Sequence, residues 1–188
     1  LSVAGHKLYA PKGVGVLYVR RGVELEKLIH GANHEMNWRA GTENVIEVVG
    51  LGKACELIHQ NLPAYQEHMQ QMRDRLEEGL TAHFPDLRIN GHRQQRLPNT
   101  SSVSFKGVEA STVLAQMQGV AASAGAACHS DQVDVSSVLE AMGVPLEYAM
   151  GTVRLSVGRY TTSAEIDQAV SEIAKAVGVH LTAASVGD

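Results

Sequence analysis

The stretch NLPAYQEHMQQMRDRLEEGL, residues 61–80, decides how the chain is divided. Asn61 is suited to cap the start of a helix, Pro63 to its first turn, and Pro85 to end it. We therefore predict a long helix and place the boundary between two structural units there, with residues 1–62 before it and 63–188 after. Its apolar residues recur every three or four positions, the spacing of one helix face, and are Leu62, Tyr65, Met69, Met72, Leu76 and Leu80.

On the N-terminal side, residues 13–19 are rich in β-branched and apolar side chains and predict a buried strand that shares a sheet with residues 1–4. Residues 30–44 have no clear period and predict a long loop, a kind of segment that is often functional. Residues 45–60 have helical spacing interrupted by glycines. The chain starts at Leu1 in what reads as a core strand, so we expect a fragment that lacks an N-terminal portion.

On the C-terminal side, short strands and helices alternate, which predicts an α+β unit. In residues 152–157 the alternation places Arg154 and Ser156 on the face opposite three apolar residues. Residues 162–165, Thr-Ser-Ala-Glu, form a capping box ahead of a last helix. The other predicted elements are strands at 87–89, 100–105 and 120–127 and short helices near 113–117 and 138–142.

Composition excludes several function classes. The net charge is −4 with no basic block, which argues against nucleic acid and anionic membrane surfaces as partners. No apolar run approaches the ~20 residues that span a bilayer, so we expect a soluble protein. The two cysteines, Cys55 and Cys128, are too few for a disulfide scaffold and favour a reducing, cytoplasmic setting. Cys55 lies in an apolar helical run and is expected to be buried.

Two side chains are candidate reactive groups. Lys7, after Gly5 and His6, carries an amine that can condense with an aldehyde cofactor, although a surface lysine at a strand end fits the same residues. Cys128 follows a run of small residues and precedes His129, a setting for a partly ionised, nucleophilic thiol. A strand-end cysteine without a role remains open.

Binding groups are less distinctive. Arg154 offers a planar fork for a substrate carboxylate, or it pairs with a structural acid. Thr42, next to Gly41, offers a hydroxyl and backbone amides that suit a phosphate. His30 and His34 lack a further ligand at metal spacing, so no metal site is predicted.

Five motifs in this order resemble the C-terminal half of the cysteine desulfurases and selenocysteine lyases, pyridoxal-phosphate enzymes of the class V aminotransferase group. The resemblance runs from residue 1 to about 178 and implies an α/β fold: the end of a class V aminotransferase-type large domain, residues 1–62, then a long connecting helix and a small C-terminal α+β domain, residues 63–188. The motifs are Gly5-His6-Lys7, Pro11-Lys12-Gly13, Gly41-Thr42, Ala127-Cys128 and residues 154–159, RLSVGR.

The resemblance also implies the roles of five side chains. Lys7 would bind pyridoxal 5'-phosphate covalently and His6 would lie at the cofactor phosphate. Thr42 would contact the cofactor phosphate of the neighbouring subunit in a homodimer. Arg154 would hold the carboxylate of L-cysteine or L-selenocysteine, and the Cys128 thiolate would take the sulfur as a persulfide, with alanine as the other product and a sulfur-acceptor protein as a further partner, as in iron–sulfur cluster assembly.

The chain departs from the pattern in two ways. Many desulfurases carry a serine two residues before the histidine, where this chain has Ala4. Much of the family's cofactor pocket comes from sequence preceding residue 1, so we expect the isolated chain to be inactive and to bind cofactor poorly. Selenocysteine lyase is the close alternative, and a non-catalytic module that dimerises or binds a sulfur acceptor is the alternative of another class.

Overall fold

The chain forms two compact units, Leu1–Leu62 and Pro63–Asp188. The structure is a computed structural model that describes residues 1–129 and 132–185, with side chains described outside 126–134 and 181–185. One helix, α1 (Val45–His83), contributes its first part to the first unit and its second part to the other.

The first unit contains a small antiparallel ribbon. Strands β1 (Ser2–Ala4) and β2 (Gly15–Leu17) pair with Ser2 opposite Leu17, which confirms the predicted pairing. The prediction that residues 13–19 form a buried strand is wrong, because all three residues of β2 are exposed. A ribbon of two strands buries a face only where another layer packs on it. Among the described residues of this unit, the buried apolar cluster is limited to Ala10, Leu51 and Ala54.

Helix α1 is a single helix that begins sixteen residues before the predicted start at Asn61. Asn61 is not its cap, since the side-chain amide donates to the carbonyl of Leu57 at 2.8 Å. Asn44 instead accepts a hydrogen bond from the backbone N–H of Glu47 at 3.4 Å, next to the observed start. Gly50 does not interrupt the helix: a Cβ there would lie 2.9 Å from the ring of Pro11, so the glycine permits close packing.

The second unit is a four-stranded antiparallel sheet with helices packed on it. The elements are β3 (Arg88–Ile89), β4 (Thr100–Ser104), α2 (Ala110–Gln116), β5 (Ser123–Ala124), β6 (Ala126–His129), β7 (Gln132–Val135), α3 (Ser137–Ala141), α4 (Leu146–Ala149), β8 (Thr152–Ser156) and α5 (Ser163–Ser185). Neighbouring strands of the sheet lie in the order β3-β4-β8-β5, and β6 pairs with β7 in a separate hairpin.

One apolar core joins the sheet to three helices. The predicted alternation in β8 is confirmed, with Val153 and Leu155 buried and Arg154 exposed. Helix α1 contributes Leu80 and α5 contributes Ile173, both almost fully buried. No helix in the described part of the chain is both long and apolar enough to cross a membrane.

Candidate functional site

Lys7 and His6 lie on a tight turn that leaves both side chains exposed. They belong to a short 3-10 helix, Gly5–Leu8, that follows β1 directly and ends at Tyr9, whose φ is 63°. Gly5 is buried and donates its N–H to the carbonyl of Val14 at 2.9 Å. A Cβ on Gly5 would lie 2.6 Å from that oxygen, so only glycine allows this turn. The turn therefore fixes the backbone from which the Lys7 amine projects.

Thr42 is exposed in the loop that leads into α1. Gly41 before it has a φ of 99°, a conformation that favours glycine. The Arg39 guanidinium donates to the carbonyl oxygens of Ala40 at 3.1 Å and Gly41 at 2.6 Å, and it pairs with Glu35 at 2.8 Å. Thr42 lies three residues before the start of α1, at the end of the helix whose dipole favours anions.

Two pKa values in this loop depart from their ordinary ranges. The pKa of Arg39 is raised, mainly by its hydrogen bond to the Glu35 carboxylate. The pKa of Glu43 is lowered, first because its carboxylate accepts a hydrogen bond from its own backbone N–H, and further by one from the backbone N–H of Glu35. Both effects favour the charged forms, so the loop beside Thr42 is held by charge-assisted contacts.

Arg154 lies on the exposed face of the sheet in the second unit. It stands between Ser102 of β4 and Ser123 of β5 in the strand register. Its guanidinium donates to the hydroxyl of Ser123 at 3.3 Å. No carboxylate pairs with Arg154 among the ion pairs of the described residues, so its planar fork is available for a carboxylate ligand.

The backbone of Cys128 lies in β6, opposite Val133 of β7. Its side chain lies outside the part of the chain that the structure describes. The hairpin begins just after Gly125, whose N–H donates to the carbonyl of Thr152 at 2.7 Å. A Cβ on Gly125 would lie 2.7 Å from the Thr152 side chain, so this glycine lets the chain that leads to Cys128 pass close to β8.

Cys55 is exposed on α1, and the expectation that it is buried is wrong. Leu51 and Ala54 form the buried side of this part of the helix, and their cluster is too small to cover the position of Cys55 as well. In the described residues, no group of three or more His, Cys, Asp and Glu side chains comes together to hold a metal ion.

Two residues of these sites were missed by sequence reasoning. Ser123 contacts Arg154 through strand pairing between segments 31 residues apart, and no local pattern reports such a pairing. Arg39 lies in the predicted loop, but its contacts to Ala40 and Gly41 depend on a side-chain conformation that no sequence pattern reports. The available signal is a charged residue two positions before Gly41.

A family model, that of the class-V aminotransferases, matches residues 1–169. The chain therefore belongs to the aminotransferase class-V family, which confirms the resemblance found in the motifs. The mixed helix and sheet structure agrees with the α/β fold expected from that family. Lys7, His6, Thr42, Cys128 and Arg154 remain predicted site residues.

Curated relatives and solved structures agree on the branch of the family. The chain is 46% identical to a cysteine desulfurase of Nostoc over 172 residues, covering 90% of this chain and 43% of the relative. It is 43% identical to the cysteine desulfurase NifS of Azotobacter vinelandii over 175 residues, covering 92% and 44%. The chain thus spans less than half the length of these relatives.

Among solved structures, a NifS-like protein matches with a TM-score of 0.83 and 34% identity, covering 95% of this chain and 46% of that one. A NifS-like protein from Rickettsia africae gives a TM-score of 0.83 at 25% identity, covering 94% and 47%. The backbone of this chain therefore follows one part of the NifS-like fold.

Proposed function

We propose that the chain forms part of a pyridoxal-phosphate-dependent cysteine desulfurase. The enzyme would convert L-cysteine to L-alanine and leave the sulfur as a persulfide on Cys128. One observation carries the proposal: a chain of the class-V aminotransferase family, 46% identical to a cysteine desulfurase, bears an exposed lysine on a tight turn, a cysteine and an exposed arginine. These are the residue types that a sulfur-removing enzyme of this kind needs.

The residues of the first unit fit a cofactor that has an aldehyde and a phosphate. The Lys7 amine is exposed on a turn that only glycine at position 5 permits. Thr42 offers a hydroxyl close before the start of α1, where the helix dipole favours an anion. His6 is exposed beside Lys7. Pyridoxal phosphate, when bound, supplies an electron sink that makes the substrate Cα–H acidic.

Three side chains of this chain would then each have a separate role in the reaction. Arg154 binds the substrate carboxylate through its planar fork. The free Lys7 amine would remove the proton from the substrate Cα and later return one. The Cys128 thiolate attacks the substrate sulfur, so that an S–S bond forms and the Cβ–S bond breaks. The electron pair of the broken bond stays with the substrate carbon, which takes up a proton and becomes the methyl group of alanine.

The test is the site of the transferred sulfur. The complete protein that contains this sequence, loaded with pyridoxal phosphate, is mixed with L-cysteine, and its peptides are examined by mass spectrometry without reductant. We expect one added sulfur atom on the Cys128 peptide, and we expect Cys128→Ser to abolish both this mass and sulfide release.

Cys55→Ser is the matched control, because Cys55 is an exposed free thiol of the same chain. This variant should keep full alanine and sulfide production. Unchanged turnover in Cys128→Ser, or sulfur found on Cys55, would contradict the proposed nucleophile. Because a thiolate nucleophile must stay reduced, we place the enzyme in a reducing compartment such as the cytoplasm.

The proposal also covers the amino-acid substrate, the oligomeric state and the protein that accepts the sulfur. L-cysteine is the proposed substrate because the curated relatives named above are cysteine desulfurases. A competition between L-cysteine and L-selenocysteine at equal concentration should show turnover of L-cysteine, and exclusive use of L-selenocysteine would make the protein a selenocysteine lyase. We further propose a homodimer in which Thr42 serves the cofactor of the partner, and a protein that accepts the persulfide sulfur.

A further inference from the structure

The loop before Thr42 contains a strained turn. Glu35, Met36 and Asn37 are consecutive non-glycine residues with positive φ, at 47°, 58° and 68°. The N–H of Trp38 donates to the carbonyl of Glu35 at 3.2 Å and closes this left-handed turn, residues 35–37. L-residues adopt this conformation at an energetic cost, because the Cβ atom comes close to the following carbonyl oxygen. Such a turn persists only where surrounding contacts hold it.

The side chain of Lys27 supplies such contacts. Its ammonium group donates to four oxygens: the Gly31 carbonyl at 3.3 Å, the Ala32 carbonyl at 3.2 Å, Asn33 Oδ1 at 3.1 Å and Asn37 Oδ1 at 2.8 Å. Three N–H donors are thus shared among four neutral acceptors. We call these four atoms the oxygen cage. The shortest contact is the one to the last residue of the left-handed turn.

Contacts of the Arg39 side chain tie the left-handed turn to the segment that carries Thr42. The Glu35 side chain pairs with Arg39, whose guanidinium also donates to the carbonyl oxygens of Ala40 and Gly41. Ala40 and Gly41, which directly precede Thr42, are therefore held to the first residue of the turn.

We propose that Lys27 is a positioning residue of the phosphate site: its ammonium, held in the oxygen cage, maintains the left-handed turn that sets the place of Thr42. The inference rests on the proposed function, because Thr42 is the proposed phosphate contact. Lys27 itself touches no cofactor in this account. Its charge matters because an ammonium satisfies four neutral oxygens at once, which an uncharged side chain cannot do.

The first test is backbone protection. Lys27→Met in the complete, cofactor-free protein keeps the length of the side chain and removes its charge. We expect faster amide hydrogen exchange in residues 31–38, with exchange in α5 unchanged. Lys53→Met is the matched control, because Lys53 lies in the same unit and pairs only with Glu56 among the described ion pairs. Unchanged exchange in residues 31–38 of Lys27→Met would overturn the proposal.

The second test is affinity for pyridoxal phosphate, measured by titration of the cofactor-free protein. Lys27→Met should weaken binding about tenfold, the scale on which outer-shell support of a ligand site acts. In the Thr42→Ala background the same change should have little further effect, since Lys27 acts through Thr42. Fully additive effects, or equal weakening by Lys53→Met, would overturn the proposal. A wild-type protein that binds no pyridoxal phosphate would instead refute the proposed function, while the exchange test would still decide whether Lys27 holds the turn.

The third test is chemical rescue. Lys27→Ala leaves the oxygen cage with room for a small cation, so propylammonium should restore slow exchange in residues 31–38 and cofactor affinity. Lys27→Met fills the same space and should not respond. Equal responses of both variants, or no rescue of Lys27→Ala, would count against a cage that needs a positive charge.

Discussion

The contacts that stabilise the inside of each unit differ between the two units of the chain. The second unit has a continuous apolar core in which Leu80, Val103 and Val153 are almost fully buried. In the first unit the described buried apolar cluster is Ala10, Leu51 and Ala54. Its long loop is ordered by polar contacts, with Lys27 and Arg39 each donating to several oxygens.

The difference explains where the proposed site residues lie. A closely packed apolar core holds the backbone of each strand in one position. Arg154 lies on the outer face of a strand that is fixed in this way. Lys7 and Thr42 lie on turns, where a glycine or a charged contact fixes the backbone. Sites on turns allow close approach to a cofactor but depend on individual contacts.

The largest expected effect concerns the apolar core. Leu80→Ala should lower the free energy of unfolding of the second unit by about 2–5 kcal/mol, because the removed side chain leaves a cavity where none of it was exposed. Leu97→Ala is the control, since that side chain is 70% exposed and should change stability by less than about 0.5 kcal/mol. Chemical denaturation measures both. Equal losses would show that burial in this core does not carry its stability.

The next effect compares two glycines of the same helix. A Cβ on Gly79 would lie 2.8 Å from Val170, whereas a Cβ on Gly52 would have no neighbour within 4 Å. Gly79→Ala should therefore destabilise the protein by about 1–3 kcal/mol through overpacking. Gly52→Ala should stabilise it by about 0.5–1 kcal/mol through helix propensity. Thermal unfolding of both variants checks the signs, and a gain from Gly79→Ala would mean that the second unit packs more loosely than described.

The smallest effect concerns the capping box of α5. The pKa of Glu165 is lowered, first by a hydrogen bond from the backbone N–H of Thr162 and then by one from its hydroxyl. The box is therefore complete above the ordinary pKa of glutamate and weakens as pH falls through the lower pKa of the folded state.

Thr162→Ala should lower the free energy of unfolding by about 1 kcal/mol. It should raise the pKa of Glu165 only part of the way to the ordinary value, because the backbone contact remains. Thr162→Ser, which keeps the hydroxyl, should leave both nearly unchanged. An NMR titration of the Glu165 side chain measures the pKa. A full return to the ordinary value in Thr162→Ala would mean that the hydroxyl, not the backbone, dominates.

Sequence patterns predicted the second unit better than the first. The capping box at residues 162–165 and the alternation in β8 are confirmed because both depend on contacts local in sequence or on one apolar face. The predicted start of the long helix at Asn61 is wrong because the glycines before it do not break helix α1, and Gly50 permits close packing against Pro11.

The contacts of the first unit were beyond sequence reasoning. The left-handed conformation of Met36 has no residue-type signal, and the next residue, Asn37, accepts a hydrogen bond from a lysine ten residues earlier in the chain. Likewise, Cys55 is exposed because the neighbouring apolar cluster of Ala10, Leu51 and Ala54 is small. Helical spacing in the sequence does not indicate the size of such a cluster. The family motifs predict which side chains form the site, and the contacts around those side chains follow from the folded structure.

The most direct test of the account is the attachment site of the cofactor. The complete protein is loaded with pyridoxal phosphate, reduced with borohydride, and digested for peptide mass spectrometry. We expect the phosphopyridoxyl group on Lys7, and we expect Lys7→Arg to lose both the label and cysteine desulfurase activity. Labelling of Lys12 or Lys27 with Lys7 unmodified would contradict the assignment of Lys7 as the cofactor-binding lysine.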